Sequence, residues 1–360
     1  MMEGGYALYR MPFSDSYTEI VQTDGSPEVL SSYGELDGRS GFVIAPFSIS
    51  ADCPLLLLRP DRMAYRRVSV TDEDVVTCCA GERGAGERAD YSADFAECHR
   101  RLMSGEFRKV VLARRACEET ETSMKPETLF MRACRLYPRM FVALVSTPQS
   151  GIWLTATPEY LLSGDGSLWH TMSLAGTVSL GGLCDDGRVT ESDGGRLSGI
   201  EWDGKNMLEQ RCVSEYIAGC LRRISTDVTE DGPYTARAGG VAHLRSDFTF
   251  TVSGSTGIGD IVSLLHPTPA VCGLPKQQTY RFIVGKEHSP RRYYSGFMGP
   301  LAVGGGTHLY VSLRCMQICG RRHFLYAGGG LLRDSVEQDE WNETEAKMDT
   351  MRRCLAIRRI

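Results

Sequence analysis

The chain has 360 residues, 42% of them hydrophobic and 24% charged, which suits an ordinary globular protein with one extended core or two domains. A formal net charge of -5, with no basic run or basic amphipathic stretch, argues against nucleic acid or an anionic membrane and leaves a small molecule as the expected partner. Met1 to Phe13 lacks a basic region followed by a long apolar run, and no later apolar segment nears spanning length, so a cytoplasmic location is expected.

In chain order, the first break is Thr71 to Asp90, a polar, charged, Gly-rich stretch that reads as a surface connection behind a divergent N-terminal part, residues 1–90. From Phe107 onward short β-branched runs alternate with turn signals: Lys109 to Arg115, Phe141 to Ser146, Ile152 to Thr157, Tyr160 to Ser163 and Leu168 to Met172. Gly164-Asp165-Gly166 is a hairpin turn between the last two. Lys205 to Ile224 carries Leu208, Cys212, Val213, Tyr216, Ile217, Cys220, Leu221 and Ile224 on one helical stripe. Strands follow over Tyr293 to Val303, Leu309 to Ile318 and His323 to Ala327, with turns at Gly304-Gly305-Gly306 and Cys319 to Arg322. A last helix spans Glu337 to Leu355. Strands joined by tight turns are antiparallel, and helices segregated from them make the fold α+β, expected as a single domain over residues 1–360 with the functional motifs in 91–360. The 13 cysteines are scattered and odd in number, and neither Cys78-Cys79 nor Cys315 and Cys319 gives a C-x-x-C zinc spacing, so they read as reduced core residues.

The last helix places Glu340, Glu343 and Lys347 on one face beside its apolar stripe. Two readings of that spacing stand: carboxylates gathered for a hard cation such as magnesium, or a solvated face with an i, i+4 ion pair. Glu209 one turn after Lys205 is by spacing alone an unremarkable i, i+4 surface pair. Lys109 shares a strand face with Val111 and Ala113; on a buried face its amine is a competent general base, and on an edge it is a lysine that deters aggregation. Glu159, after Pro158 at a strand end, is either a turn residue or a carboxyl kept protonated as a general acid. Arg314 reads as mid-strand on the face of Tyr310 and Ser312, where a guanidinium needs an anion. Gly328-Gly329-Gly330 lets backbone amides approach an anion but lacks the dinucleotide and P-loop patterns. No G-x-S-x-G or H-E-x-x-H occurs.

Together these segments resemble the chorismate-utilising enzymes, the family of isochorismate, salicylate, anthranilate and aminodeoxychorismate synthases. The likeness runs from about Phe107 to the C-terminus in family order: Lys109-Val110-Val111-Leu112-Ala113-Arg114, Thr157-Pro158-Glu159-Tyr160-Leu161-Leu162, Leu174-Ala175-Gly176-Thr177 and Lys205-Asn206-Met207-Leu208-Glu209. His243-Leu244, Leu265-His266-Pro267-Thr268-Pro269-Ala270, Tyr293-Tyr294-Ser295-Gly296, Leu313-Arg314-Cys315, Tyr326-Ala327-Gly328-Gly329-Gly330 and Glu340-Trp341-Asn342-Glu343-Thr344 complete the set. The resemblance implies two facing antiparallel sheets with helices outside. It implies Mg²⁺ on Glu209 and Glu343 with Glu340 nearby, substrate carboxylate contacts from Arg314 and Tyr294 aided by Gly328, Gly330 and Lys347, and further active-site positions at His243, Gly176 and Thr177.

Two positions choose the reaction within that family. Lys109 matches the lysine that activates water in the isochorismate and salicylate enzymes, and Ala270 resembles the isochorismate branch, where enzymes that eliminate pyruvate carry threonine. The resemblance thus implies Mg-dependent interconversion of chorismate and isochorismate with Lys109 as base and Glu159 as acid. Gly41-Phe42-Val43-Ile44-Ala45-Pro46-Phe47 is similar to short enzymes of menaquinone-making bacteria, with a siderophore pathway as the other destination. A salicylate-forming enzyme and a catalytically silent binding subunit are the alternatives. A monomer is expected, with no glutamine amidotransferase subunit. Asn206 departs from the family, which has an acidic residue there, and the lost charge is expected to weaken the electrostatics around the metal.

Overall fold

The strand Phe141–Thr147 shows why this chain builds layers. Phe141, Ala143 and Val145 enter one apolar cluster while Val142 and Leu144 enter another, so alternate side chains bury on opposite faces and the sheet needs cover on both. In the computed structural model, which describes residues 4–69, 78–79, 85–180, 189–192, 195–238 and 240–355, that cover comes from a second sheet inside and helices outside.

The first sheet runs, in spatial order, through Gly273–Leu274, Lys109–Thr120, Arg322–Leu331, Cys315–Cys319, Gly151–Thr157, Phe141–Thr147, Tyr6–Arg10, Ser16–Val21 and Arg62–Arg67, with Cys78–Cys79 added beside Lys109–Thr120. The second runs through Thr190–Glu191, Arg196–Ser198, Val228–Ala238, Val241–Thr251, Leu168–Ser179, Tyr160–Asp165, Thr307–Val311, Phe297–Leu301, Gly41–Ala45, Leu55–Leu58 and Glu28–Leu30. Neighbours pair antiparallel in both. The N-terminal strands therefore extend both sheets.

Between the sheets Tyr9, Phe141, Trp153 and Tyr326 meet Phe42, Ile44, Met298 and Tyr310. On the outer face of the first sheet, Leu129 and Phe130 of the helix Pro126–Leu136 pack with Met348 and Met351 of Glu337–Cys354. The second sheet is covered by Val213 and Ile217 of Gly204–Leu221 and Ile261 and Val262 of Ile258–Leu265. Tyr91 and Phe95 of Ala85–Met103 and Phe282 of Lys276–Lys286 cover Val110 and Leu112. This is the expected α+β sandwich.

Two expected strands are corrected. Leu309 to Ile318 is not one strand: Thr307–Val311 belongs to the second sheet and Cys315–Cys319 to the first. Arg314, at φ 46°, sits in the crossover and not mid-strand. The apolar alternation through Leu309, Val311, Leu313 and Cys315 runs on across the crossover, where Ser312 and Arg314 between them are buried as well, so it does not mark one continuous strand. Tyr293 to Val303 likewise contains only the strand Phe297–Leu301; Tyr294 lies in a turn whose amide bonds Arg291 O at 2.9 Å. The hairpin turns at Gly166 and at Gly304-Gly305 are present, all three glycines having positive φ. The Gly204–Leu221 helix ends three residues before the expected Ile224, and Asp203 caps it by accepting from the Asn206 amide. Residues 71–77 and 80–84 of the expected connection lie outside the described residues, and the helix Ala85–Met103 begins within its last part. Cys212, Cys220 and Cys315 are free and buried.

Candidate active site

Lys109 opens its strand beside Gly273–Leu274, with Val111 and Ala113 on the same side and Val110 and Leu112 packed outward. Its side chain is 0% exposed, so the buried reading holds and the edge reading does not. Nζ lies 3.0 Å from Glu209 Oε1 but makes no well-directed hydrogen bond. Glu209 reaches it from the Gly204–Leu221 helix, its other oxygen accepting from the Gly176 amide at 3.2 Å. A Cβ at Gly330 would sit 2.0 Å from Glu209 Oε1 and 3.0 Å from Lys109 Cε, so the ion pair occupies the space that glycine leaves. At Gly329 a Cβ would stand 2.8 Å from Glu340 Oε2, and at Gly328 2.9 Å from the Tyr294 hydroxyl. Cys315–Cys319 pairs with Arg322–Leu331 only as far as Tyr326, which leaves the Gly328–Gly330 edge open to these side chains. The glycine run thus admits side chains rather than presenting a turn.

The helix Glu337–Cys354 lays its acidic face on that edge. Lys347 Nζ donates to Gly328 O at 2.9 Å and to Glu343 Oε1 at 2.6 Å. Glu340, 1% exposed, takes Lys205 Nζ at 2.5 Å and keeps Oε2 buried without a partner. Burial, with the Glu343 charge beside it, raises the Glu340 pKa; burial also acts on Glu343, but the Lys347 ammonium outweighs it and holds that carboxyl below its ordinary value. The expected Glu343 and Lys347 pair exists, yet on a face turned to the cleft and not to open solvent.

Across the cleft a relay fixes one cation. His243 Nδ1 is 2.7 Å from Gly176 O; because a carbonyl only accepts, Nδ1 carries the proton and Nε2 accepts from Arg314 Nη2 at 2.7 Å. Burial, then the Arg314 and Lys347 charges, push the His243 pKa well below its ordinary value, consistent with this neutral tautomer. Among the described residues Arg314 has no carboxylate within ion-pair distance, and burial lowers its pKa. A buried guanidinium held by a neutral imidazole is poised for an anion. Glu159, 2% exposed between Gly151–Thr157 and Tyr160–Asp165, has its pKa pushed up to about 8 by burial, against the opposing pull of Lys109, Arg314 and Lys347. It is protonated near neutrality.

One cleft is lined by Glu159, Gly176, Thr177, Glu209, His243, Ala270, Tyr294, Arg314, Gly328, Gly330 and Lys347, together with Val111, Leu174 and Tyr326. Residues 68–356 match the family of chorismate binding enzymes. The chain belongs to that family. It is 29% identical over 334 residues to the salicylate biosynthesis isochorismate synthase of Pseudomonas aeruginosa, covering 91% of this chain and 66% of that protein. It is 28% identical over 244 residues to isochorismate synthase EntC of Escherichia coli K12, covering 68% and 61%. The chain therefore matches slightly less than two thirds of the length of these curated relatives. Its fold is that of the menaquinone-specific isochorismate synthase MenF of Escherichia coli, with TM-score 0.82, 21% identity and coverage of 99% and 89%. Anthranilate synthase component I of Streptococcus pneumoniae is similar at TM-score 0.69, 16% identity and coverage of 96% and 89%.

Of the positions expected in this chorismate binding enzyme, Lys109, Glu340 and Glu343 stand one layer behind the cleft lining, and the rest face it. Lys205, not among the expected site residues, reaches Glu340 on another helix and not Glu209 on its own. Its place in the Lys205-Asn206-Met207-Leu208-Glu209 signature was the available signal. Asn206 Oδ1 accepts from the Thr177 amide at 3.0 Å while its amide nitrogen donates to Asp203 at 2.9 Å. The amide so keeps the acceptor that a carboxylate would offer Thr177. For a hard dication the donors fit, being carboxylate oxygens with one, Glu340 Oε2, buried and unpartnered. Among the described residues no three His, Cys, Asp or Glu groups form a metal cluster, and Glu209, Glu340 and Glu343 are each tied to a lysine. Nor is any described helix long and apolar enough to cross a membrane.

Proposed function

We propose that the protein is an isochorismate synthase, interconverting chorismate and isochorismate by adding water at C2 of the ring and expelling the C4 hydroxyl. The observation that carries this reading is a cleft lined by the protonated carboxyl of Glu159 and by an Arg314 cation with no carboxylate of its own among the described residues, with the buried amine of Lys109 behind that lining. Lys109 takes the proton of the attacking water, and Glu159 delivers its proton to the departing hydroxyl while the ring double bonds shift. Arg314, oriented by His243, and Tyr294 bind the enolpyruvyl carboxylate. Glu209 and Glu343, with Glu340 beside them, would hold Mg²⁺, which supplies positive charge for the ring carboxylate. Since acid and base exchange roles in reverse, the reaction should run both ways.

We read menaquinone biosynthesis as the product's destination, on the Gly41–Phe47 likeness. The protein is proposed to work as a cytoplasmic monomer without an amidotransferase subunit. The test is incubation of the pure chain with chorismate and Mg²⁺ and chromatography of the products. Isochorismate without pyruvate is expected. Pyruvate in a lactate-dehydrogenase-coupled assay would favour the salicylate-forming alternative, and unchanged chorismate would leave a silent binding protein.

A further inference from the structure

Arg314 lines both the cleft and a second recess, formed with Tyr137, Val241, Asp349, Thr350 and Arg353. Its polar groups are largely occupied. Tyr137 donates its hydroxyl to Thr350 O at 2.8 Å, and Asp349 is taken by Arg352 Nη1 at 3.0 Å. The two guanidinium groups are different: among the described residues Arg314, 7% exposed, bonds through its side chain to neutral His243 alone, and Arg353, exposed in the last turn of Glu337–Cys354, has no ion pair. A recess with one unpaired guanidinium at its rim and another in its floor attracts an anion, and the floor group is shared with the active site. Protein with a net charge of -5 repels a dianion at long range, which gives a local cationic path more influence on encounter.

We propose that this recess is the entry port of the active site, where Arg353 meets a carboxylate of the incoming dianionic substrate and passes it to Arg314. This rests on the proposed function. The test is the association rate of chorismate with the full chain in the presence of Mg²⁺, read by stopped-flow protein fluorescence at several ionic strengths. Arg353→Gln should slow association about three- to tenfold at low salt, the two proteins converging as salt screens charges over about 8–10 Å. Arg353→Lys should keep the wild-type rate. Arg211→Gln, the same charge change on the exposed side of another helix, should also leave it unaltered. Association of Arg353→Gln at the wild-type rate, or equal slowing by Arg211→Gln, would overturn the port alone; wild-type protein that binds no chorismate would overturn both the port and the proposed function.

Discussion

Replacing Glu159 by glutamine keeps the shape of a side chain 2% exposed and removes the one proton the account needs from it. With a pKa of about 8, the wild-type carboxyl is protonated in roughly ten molecules of eleven at pH 7. At the ordinary value of 4.5, only about one in 300 would be. Loss of a general acid costs about 10² to 10⁴ in rate, so Glu159→Gln should retain at most about 1% of turnover from chorismate. Wild-type turnover in that direction should fall as pH rises through about 8, and the residual activity of the variant should lack that limb. Stability carries the same signature. The folded pKa is raised, so the contribution is fully present below the unfolded value of 4.5 and is lost as pH rises through about 8. At about 1.4 kcal/mol per tenfold change in proton affinity, the ceiling on that loss is about 5 kcal/mol. Denaturant unfolding of the two proteins between pH 5 and 9 should show the wild type losing stability relative to the glutamine variant. A variant that turns over like wild type, or that keeps the falling limb near pH 8, refutes the assignment.

Lys109→Ala should lose about 10² to 10⁴ in turnover with magnesium binding by calorimetry preserved, because the base is removed and the carboxylates are not; near-normal turnover would contradict the base role. Glu343→Ala should raise the magnesium concentration needed for half-maximal activity sharply, and an unchanged requirement would count against a ligand there. Gly330→Ala would place a Cβ 2.0 Å from Glu209 Oε1 and should lower stability by about 1–3 kcal/mol and impair turnover, checked by thermal unfolding and the product assay. Normal stability and activity would show that the ion pair can simply move aside.

Much of the architecture could be read from the chain because burial imposes its period on the sequence. Phe141 to Ser146 and Ile152 to Thr157 are near-continuous apolar runs, as strands buried on both faces require, and the stripes on the two long helices locate their buried faces. The same signal failed at Arg314. Alternation cannot distinguish one sheet from the next, so a crossover with a left-handed residue looked like the middle of a strand. The helices Ala85–Met103, Pro126–Leu136, Ile258–Leu265 and Lys276–Lys286 escaped notice, the first behind a polar stretch that masked its start. Spacing placed Glu340, Glu343 and Lys347 on one face but could not say what that face looked upon. That depended on where Cys315–Cys319 stops pairing with its neighbour, a tertiary fact. Lys205 bonding to Glu340 is hidden for the same reason, since its partner lies 135 residues away.

In the proposed reaction water enters at C2 as hydroxide leaves from C4, and oxygen labelling reads that exchange directly. In H₂¹⁸O with Mg²⁺, isochorismate formed by the wild-type chain should carry one ¹⁸O, at the C2 hydroxyl, by mass spectrometry. Isochorismate formed without label would mean the original hydroxyl migrates within the molecule, which no arrangement of Lys109 as water-activating base can accommodate.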